Sequence, residues 1–197
     1  MERRVKLAIN AGHGMSNVRP GVLDTGAVSG GMRECDVTLA WGLTMKQGCI
    51  DAGIPYYLTR GDNVSGVFLG RIDDVSEDAG CTHLLSIHMN DGPPSATGCE
   101  AYYRDDADKS WAVAVCGAAV SATGLVNRGV KTENESQHSR LAVFDFDGPC
   151  ALIEGGFITN LTDRSLIATR DVRLLFARRV CEALKRWRDT GSYQEKL

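Results

Sequence analysis

Val5-Lys6-Leu7-Ala8-Ile9-Asn10-Ala11-Gly12-His13-Gly14 opens the chain with a short apolar run that stops at a histidine held between two glycines. Val5–Ile9 is too brief for a stable helix and reads as a strand, and the glycines let the backbone turn tightly and expose the imidazole. The same grammar recurs downstream. Tyr56–Thr59, His83–His88, Cys99–Tyr103, Leu141–Phe146 and Ala151–Ile153 read as further strands. Helical spacing fills the intervals. Glu34–Ala52 places Val37, Ala40, Trp41, Met45 and Gly48 on one face, and Gly53 is positioned to stop it. Phe68–Ala79 and Ser110–Ala122 read as the next helices. The last, Asp171–Arg188, puts Leu174, Ala177, Val180, Cys181, Leu184 and Trp187 on one face. Alternating strands and helices predict an α/β single domain: a mostly parallel, twisted sheet of about six strands flanked by helices on both faces.

Composition bounds the function. The 197 residues are 43% hydrophobic and 24% charged, which fits one globular domain over residues 1–197 and excludes a disordered or fibrous chain. The net charge of -3 speaks against nucleic acid as a partner. No apolar stretch approaches the roughly 18 residues a membrane span needs, so no membrane insertion is expected. Seven scattered cysteines contain no Cys-x-x-Cys pair and are odd in number. They read as buried, reduced thiols of a protein made in a reducing compartment. The first ten residues begin basic, but their apolar part is short and interrupted by Lys6, unlike a signal-peptide core. The expectation is synthesis in the cytoplasm without a signal peptide, with a monomer favoured.

In open parallel sheets, ligands bind beyond the carboxyl ends of the strands. His13, His88 and Glu154 stand at three such ends, and Glu34 opens the first long helix. Two histidines and one carboxylate make a catalytic zinc set with an open fourth position, and a second carboxylate can serve as general base and acid. Taken singly, each residue has a plainer reading: a hydrogen-bonded histidine, or a glutamate stabilising a helix start. Their coincidence beside glycines favours a metal.

Six segments add a resemblance: Ile9–Gly14, Gly31-Met32-Arg33-Glu34, Leu58-Thr59-Arg60, Ser86-Ile87-His88-Met89-Asn90, Asn127-Arg128-Gly129-Val130-Lys131 and Leu152–Asn160. In this order the sequence resembles the zinc-dependent N-acetylmuramoyl-L-alanine amidases of the type 3 family. The resemblance implies a phosphorylase/hydrolase-like fold and one Zn2+ held by His13, Glu34 and His88. It implies Glu154 as the catalytic acid/base and peptidoglycan as substrate. It also suggests a phage endolysin released through a holin, with an excised domain of a secreted autolysin as the competing origin. The sequence departs from the family pattern at Asn10-Ala11, at Phe144-Asp145 and in a polar Glu133–Ser139 loop. The alternatives are a stem-peptide carboxypeptidase, which would need a buried arginine for the substrate carboxylate, and an inactive wall-binding module.

Other residues carry weaker signals. Asn90, His138 and Arg140 are the candidates for substrate contact. His83 begins its strand, on the far side of the sheet from the site, and reads as structural. Arg60 and Arg71 could pair with carboxylates near the site, but the favoured reading is surface arginines without a specific task. The basic residues of the last helix, among them Arg173, Arg178, Arg179 and Lys185, read as a solvated face.

Overall fold

In the computed structural model, which describes residues 3–194, six strands form one mixed sheet. They are β1 (Leu7–Ala11), β2 (Tyr56–Leu58), β3 (His83–Asn90), β4 (Cys99–Tyr103), β5 (Asn127–Thr132) and β6 (Cys150–Phe157). Their spatial order is β2-β1-β3-β6-β4-β5. Neighbours are parallel except across β6 and β4, so β4 and β5 run against the others. Every residue of β1 is buried, which is why it reads as an unbroken apolar run rather than an alternating one. Residues 1–2 and 195–197 belong to the single-domain expectation but lie outside the described residues.

The helices are α1 (Glu34–Ala52), α2 (Ile72–Asp78), α3 (Asp106–Thr123), α4 (Leu161–Ile167) and α5 (Arg170–Thr190). α1, α3 and α5 pack on one face, where Trp41, Met45, Trp111 and Phe176 fill the main core. On the other face, a smaller core joins Ile72 of α2 to Leu84, Tyr102, Phe144 and Leu152. α1 stops at Gly53, whose left-handed φ of 67° closes the helix as its position suggests.

Several boundaries differ from the sequence reading, each for a physical reason. Leu141–Phe146 is not a strand: Ala142–Asp145 forms a single 3-10 turn that plugs the smaller core with Val143, Phe144 and Phe146. An apolar run buries equally well as a plug or as a strand, and periodicity cannot separate them. The sixth strand is instead β5, a polar edge strand whose charged residues hid it. Phe68–Ala79 breaks into a turn at Leu69–Arg71 followed by α2, because Gly70 is not helical. α3 begins four residues early, where the Asp105 carboxylate accepts from the amides of Ala107 and Asp108. Asn160 caps the short α4 in the same way. On α5, Leu174 faces solvent at 40% exposure, whereas Ala177, Val180, Cys181 and Leu184 are buried as read.

All seven cysteines are free, six of them buried. Among the described residues no helix is long and apolar enough to cross a membrane.

His83 is fully buried beneath Trp111 and Trp187, and its Nε2 lies 2.8 Å from the Tyr193 hydroxyl. Burial pushes its pKa down to about 4 from the usual 6.5. Between those values the unfolded chain holds the extra proton, so stability rises with pH through this window and is lost on acidification. Lowering the pH from 6.5 to 5 should cost roughly 2 kcal/mol at this site. Urea titrations of wild type and His83→Gln check it: the variant should lose that part of the slope.

Candidate metal centre and active site

The backbone of β1 ends at Ala11, and His13 follows with a left-handed φ of 64°, a strained conformation for a non-glycine residue. His88 projects from β3, beside β1, and Glu34 is the first residue of α1. The three side chains meet. Glu34 Oε1 lies 3.0 Å from His13 Nε2 and 3.3 Å from His88 Nδ1. Glu34 is held from its other sides, because Oε1 accepts from the Met89 amide at 2.9 Å and Oε2 from the Ala27 amide at 3.0 Å. The imidazoles stand edge-on, 4.9 Å apart. Gly12 makes room for them: a Cβ there would lie 2.3 Å from the His88 ring.

The donor set suits zinc. One ligand atom from each of His13, Glu34 and His88 lies within 4.8 Å of the others, and two imidazoles plus a carboxylate leave one coordination position open. Electrostatics follow from the same contacts. Burial opposes the charge on Glu34, but hydrogen bonds to His13 and His88 outweigh it and hold the carboxyl well below its usual range. Burial lowers the pKa of His88, only partly offset by Glu34. For His13 the bonds to Glu34 and Asp24 overcome burial and raise it.

Glu154 lies on β6 directly across from His88 in the strand register. Its Oε2 is shielded from solvent and has no hydrogen-bond partner. Burial, then the charges of Glu34 and Glu100, push its pKa well above the ordinary carboxylate value. A carboxyl so placed can accept a proton and return it near neutral pH.

A cleft of about 620 Å³ opens over this group. Asn10, His13, Glu34, His88 and Glu154 line it, together with Ser136, His138, Arg140 and Val143. Of the weaker candidates, Asn90, His138 and Arg140 all border the cleft. Asn90 donates through Nδ2 to Glu100 at 2.8 Å, and the exposed Arg140 pairs with Asp145.

Arg60 and Glu100 escaped the sequence reading. Arg60, expected at the surface, is buried and ties the ligand-bearing segments together. It donates to the carbonyls of Ala11, Gly12 and Cys35 at 2.9, 2.9 and 2.8 Å. Arg60→Met leaves those buried acceptors short of donors. It should cost about 3 kcal/mol at the roughly 1–3 kcal/mol typical of each unsatisfied group. Arg60→Lys should recover little, since one ammonium cannot span the fork. Urea unfolding of both variants tests this.

Glu100 is the second. It sits opposite Glu154 on β4 and accepts from Arg128 Nε and Lys131 Nζ, each at 2.6 Å, and from the Tyr102 hydroxyl at 2.9 Å. Burial opposes its charge, but Lys131 and Arg128 prevail and hold it ionised. A glutamate inside an otherwise apolar strand was the available signal.

A three-donor cluster with a buried, unpartnered carboxylate beside it is the layout of a metal-dependent hydrolase. Residues 7–186 match the family model described as N-acetylmuramoyl-L-alanine amidase, and the chain belongs to that family. Members of the family depend on zinc and hydrolyse peptidoglycan amide bonds, and this chain is of that enzyme class.

Two curated relatives come from bacilli. The uncharacterised protein YqiI of Bacillus subtilis (strain 168) is 29% identical over 167 residues, 83% of this chain and 75% of that one. The N-acetylmuramoyl-L-alanine amidase CwlM of Bacillus licheniformis is 28% identical over 172 residues, 81% of this chain and 59% of that protein. Among solved structures, the catalytic domain of CwlV, an N-acetylmuramoyl-L-alanine amidase from Bacillus (Paenibacillus) polymyxa var. colistinus, superposes with a TM-score of 0.80. It is 25% identical, and the match covers 94% of this chain and 98% of that domain. The mixed, mostly parallel sheet with flanking helices is the fold of these amidases.

Proposed function

We propose that residues 1–197 form one catalytic domain that cuts the amide between the lactyl group of N-acetylmuramic acid and L-alanine in peptidoglycan. His13, Glu34 and His88 hold a zinc ion and Glu154 is the acid/base. The observation that carries this reading is Glu154 Oε2, buried and without a partner beside the three-donor cluster. Zinc at that cluster supplies Lewis-acid polarisation of the scissile carbonyl and acidifies water within its reach. Glu154 takes the proton of the attacking water as the new C–O bond forms. It then delivers that proton to the alanine nitrogen as the C–N bond breaks, and so returns to its ionised state. The side of the cleft that carries His138 and Arg140 meets the stem peptide.

The carboxypeptidase alternative needs a buried arginine for the terminal carboxylate. Arg60 spends its donors on backbone carbonyls, Arg128 faces Glu100, and Arg140, which borders the cleft, is exposed. The free thiols fit synthesis in a reducing compartment, which supports the endolysin reading over the secreted autolysin.

The discriminating experiment uses a soluble muramyl peptide with a free or an amidated carboxyl terminus, followed by chromatography. Both forms should release the intact stem peptide at similar rates. Cleavage confined to the free-acid form, shortening the peptide from its end, would replace this reading with the carboxypeptidase.

A further inference from the structure

His13 has two ring nitrogens, and the fold gives each a different carboxylate. Nε2 faces Glu34 Oε1 at 3.0 Å, inside the donor cluster, while Nδ1 lies 2.9 Å from Asp24 Oδ2 on the other side. Asp24 reaches that position through a small ribbon that pairs Gly14–Met15 with Leu23–Asp24 and sets Asp24 opposite Gly14, the residue after the histidine. Its carboxylate is in turn held. Oδ2 accepts from Asn17 Nδ2 at 2.7 Å, and Oδ1 accepts from the Gly26 amide at 3.1 Å.

We propose that Asp24 is a positioning residue for the metal centre: it accepts the Nδ1 proton of His13, fixes the ring's tautomer and aims a bare Nε2 at Glu34 and His88. A neutral imidazole carries one N–H, and an acceptor on one nitrogen leaves the other free as a ligand. The backbone of residue 13 lies in the left-handed region, and the two carboxylates, Glu34 and Asp24, grip the ring from its two nitrogens. Outer carboxylates of this kind typically raise metal affinity 10–100-fold by orienting the ring and increasing its basicity. Asn17 acts one step further out, fixing the Asp24 oxygen that receives the proton.

The inference rests on reading His13, Glu34 and His88 as ligands, and its test separates the two. Zinc dissociation constants of the full chain are measured by competition with a chromophoric chelator for wild type, Asp24→Asn and Asp24→Ala. The nitrogen NMR shifts of the His13 ring are recorded in the zinc-loaded wild type. Wild type should bind about one zinc per chain, with Nδ1 protonated and Nε2 on the metal. Asp24→Asn should bind zinc about 10–100-fold more weakly, while the metal-free protein still unfolds in one cooperative transition. Should Asp24→Ala fail to fold, the asparagine variant and the tautomer decide. Tight binding by wild type with Asp24→Asn within twofold of it overturns the role of Asp24 and spares the ligand set. So does metal on Nδ1. A wild type that binds no zinc overturns both.

Discussion

Glu154→Gln should lose about 10²–10⁴-fold in turnover, the usual contribution of a general acid/base, while keeping its zinc and its fold. The separation follows from the contacts. Glu154 Oε2 makes no hydrogen bond, so the resting structure loses none when the carboxylate becomes an amide. The charge itself is disfavoured there by burial and by Glu34 and Glu100, so the neutral variant should unfold at the same temperature as wild type or a little higher. Zinc content, thermal unfolding and kcat measured on one preparation test all three parts. Loss of metal in this variant would make Glu154 a ligand and remove it from proton transfer.

Glu34→Ala should fail in a different way, losing metal, activity and stability together. Its carboxylate touches both histidines and receives the amides of Met89 and Ala27. Truncation strands those two buried donors, at about 1–3 kcal/mol each, and takes one of three ligands from the zinc set. Activity should fall to background, and added zinc should not restore it. His88→Ala should likewise lose metal and activity. Wild type stripped by a chelator is the control, and it should recover when zinc is returned. A Glu34→Ala protein that kept full activity would remove Glu34 from the centre.

Much of the candidate site was legible because its residue types are conspicuous where they fall. His13 between glycines, His88 at the end of an apolar strand and Glu154 before Gly155-Gly156 each interrupt a pattern that burial otherwise explains. Parallel sheet order then carries strand ends to one crevice, and the register sets Glu154 across from His88. What stayed hidden depends on partners distant in sequence. Arg60 looks like any loop arginine until Ala11, Gly12 and Cys35 turn their carbonyls toward it. Asp24 sits in a turn-like stretch, and only the ribbon beside His13 gives it a task. Glu100 needs β5 alongside to supply Arg128 and Lys131, and β5 itself was missed because its charges mask a strand. Leu141–Phe146 erred in the opposite sense, its apolar side chains filling a core from an irregular turn.

The central claim is that this centre cuts the bond between the glycan and the first alanine. Mass spectrometry of bacterial peptidoglycan digested by the zinc-loaded chain, alongside Glu154→Gln, tests it most directly. The account predicts intact stem peptides with new L-alanine amino termini and glycan strands bearing free lactyl carboxylates, with neither product in the Glu154→Gln digest. An active digest without new alanine amino termini, or one that Glu154→Gln reproduces at the wild-type rate, would contradict it.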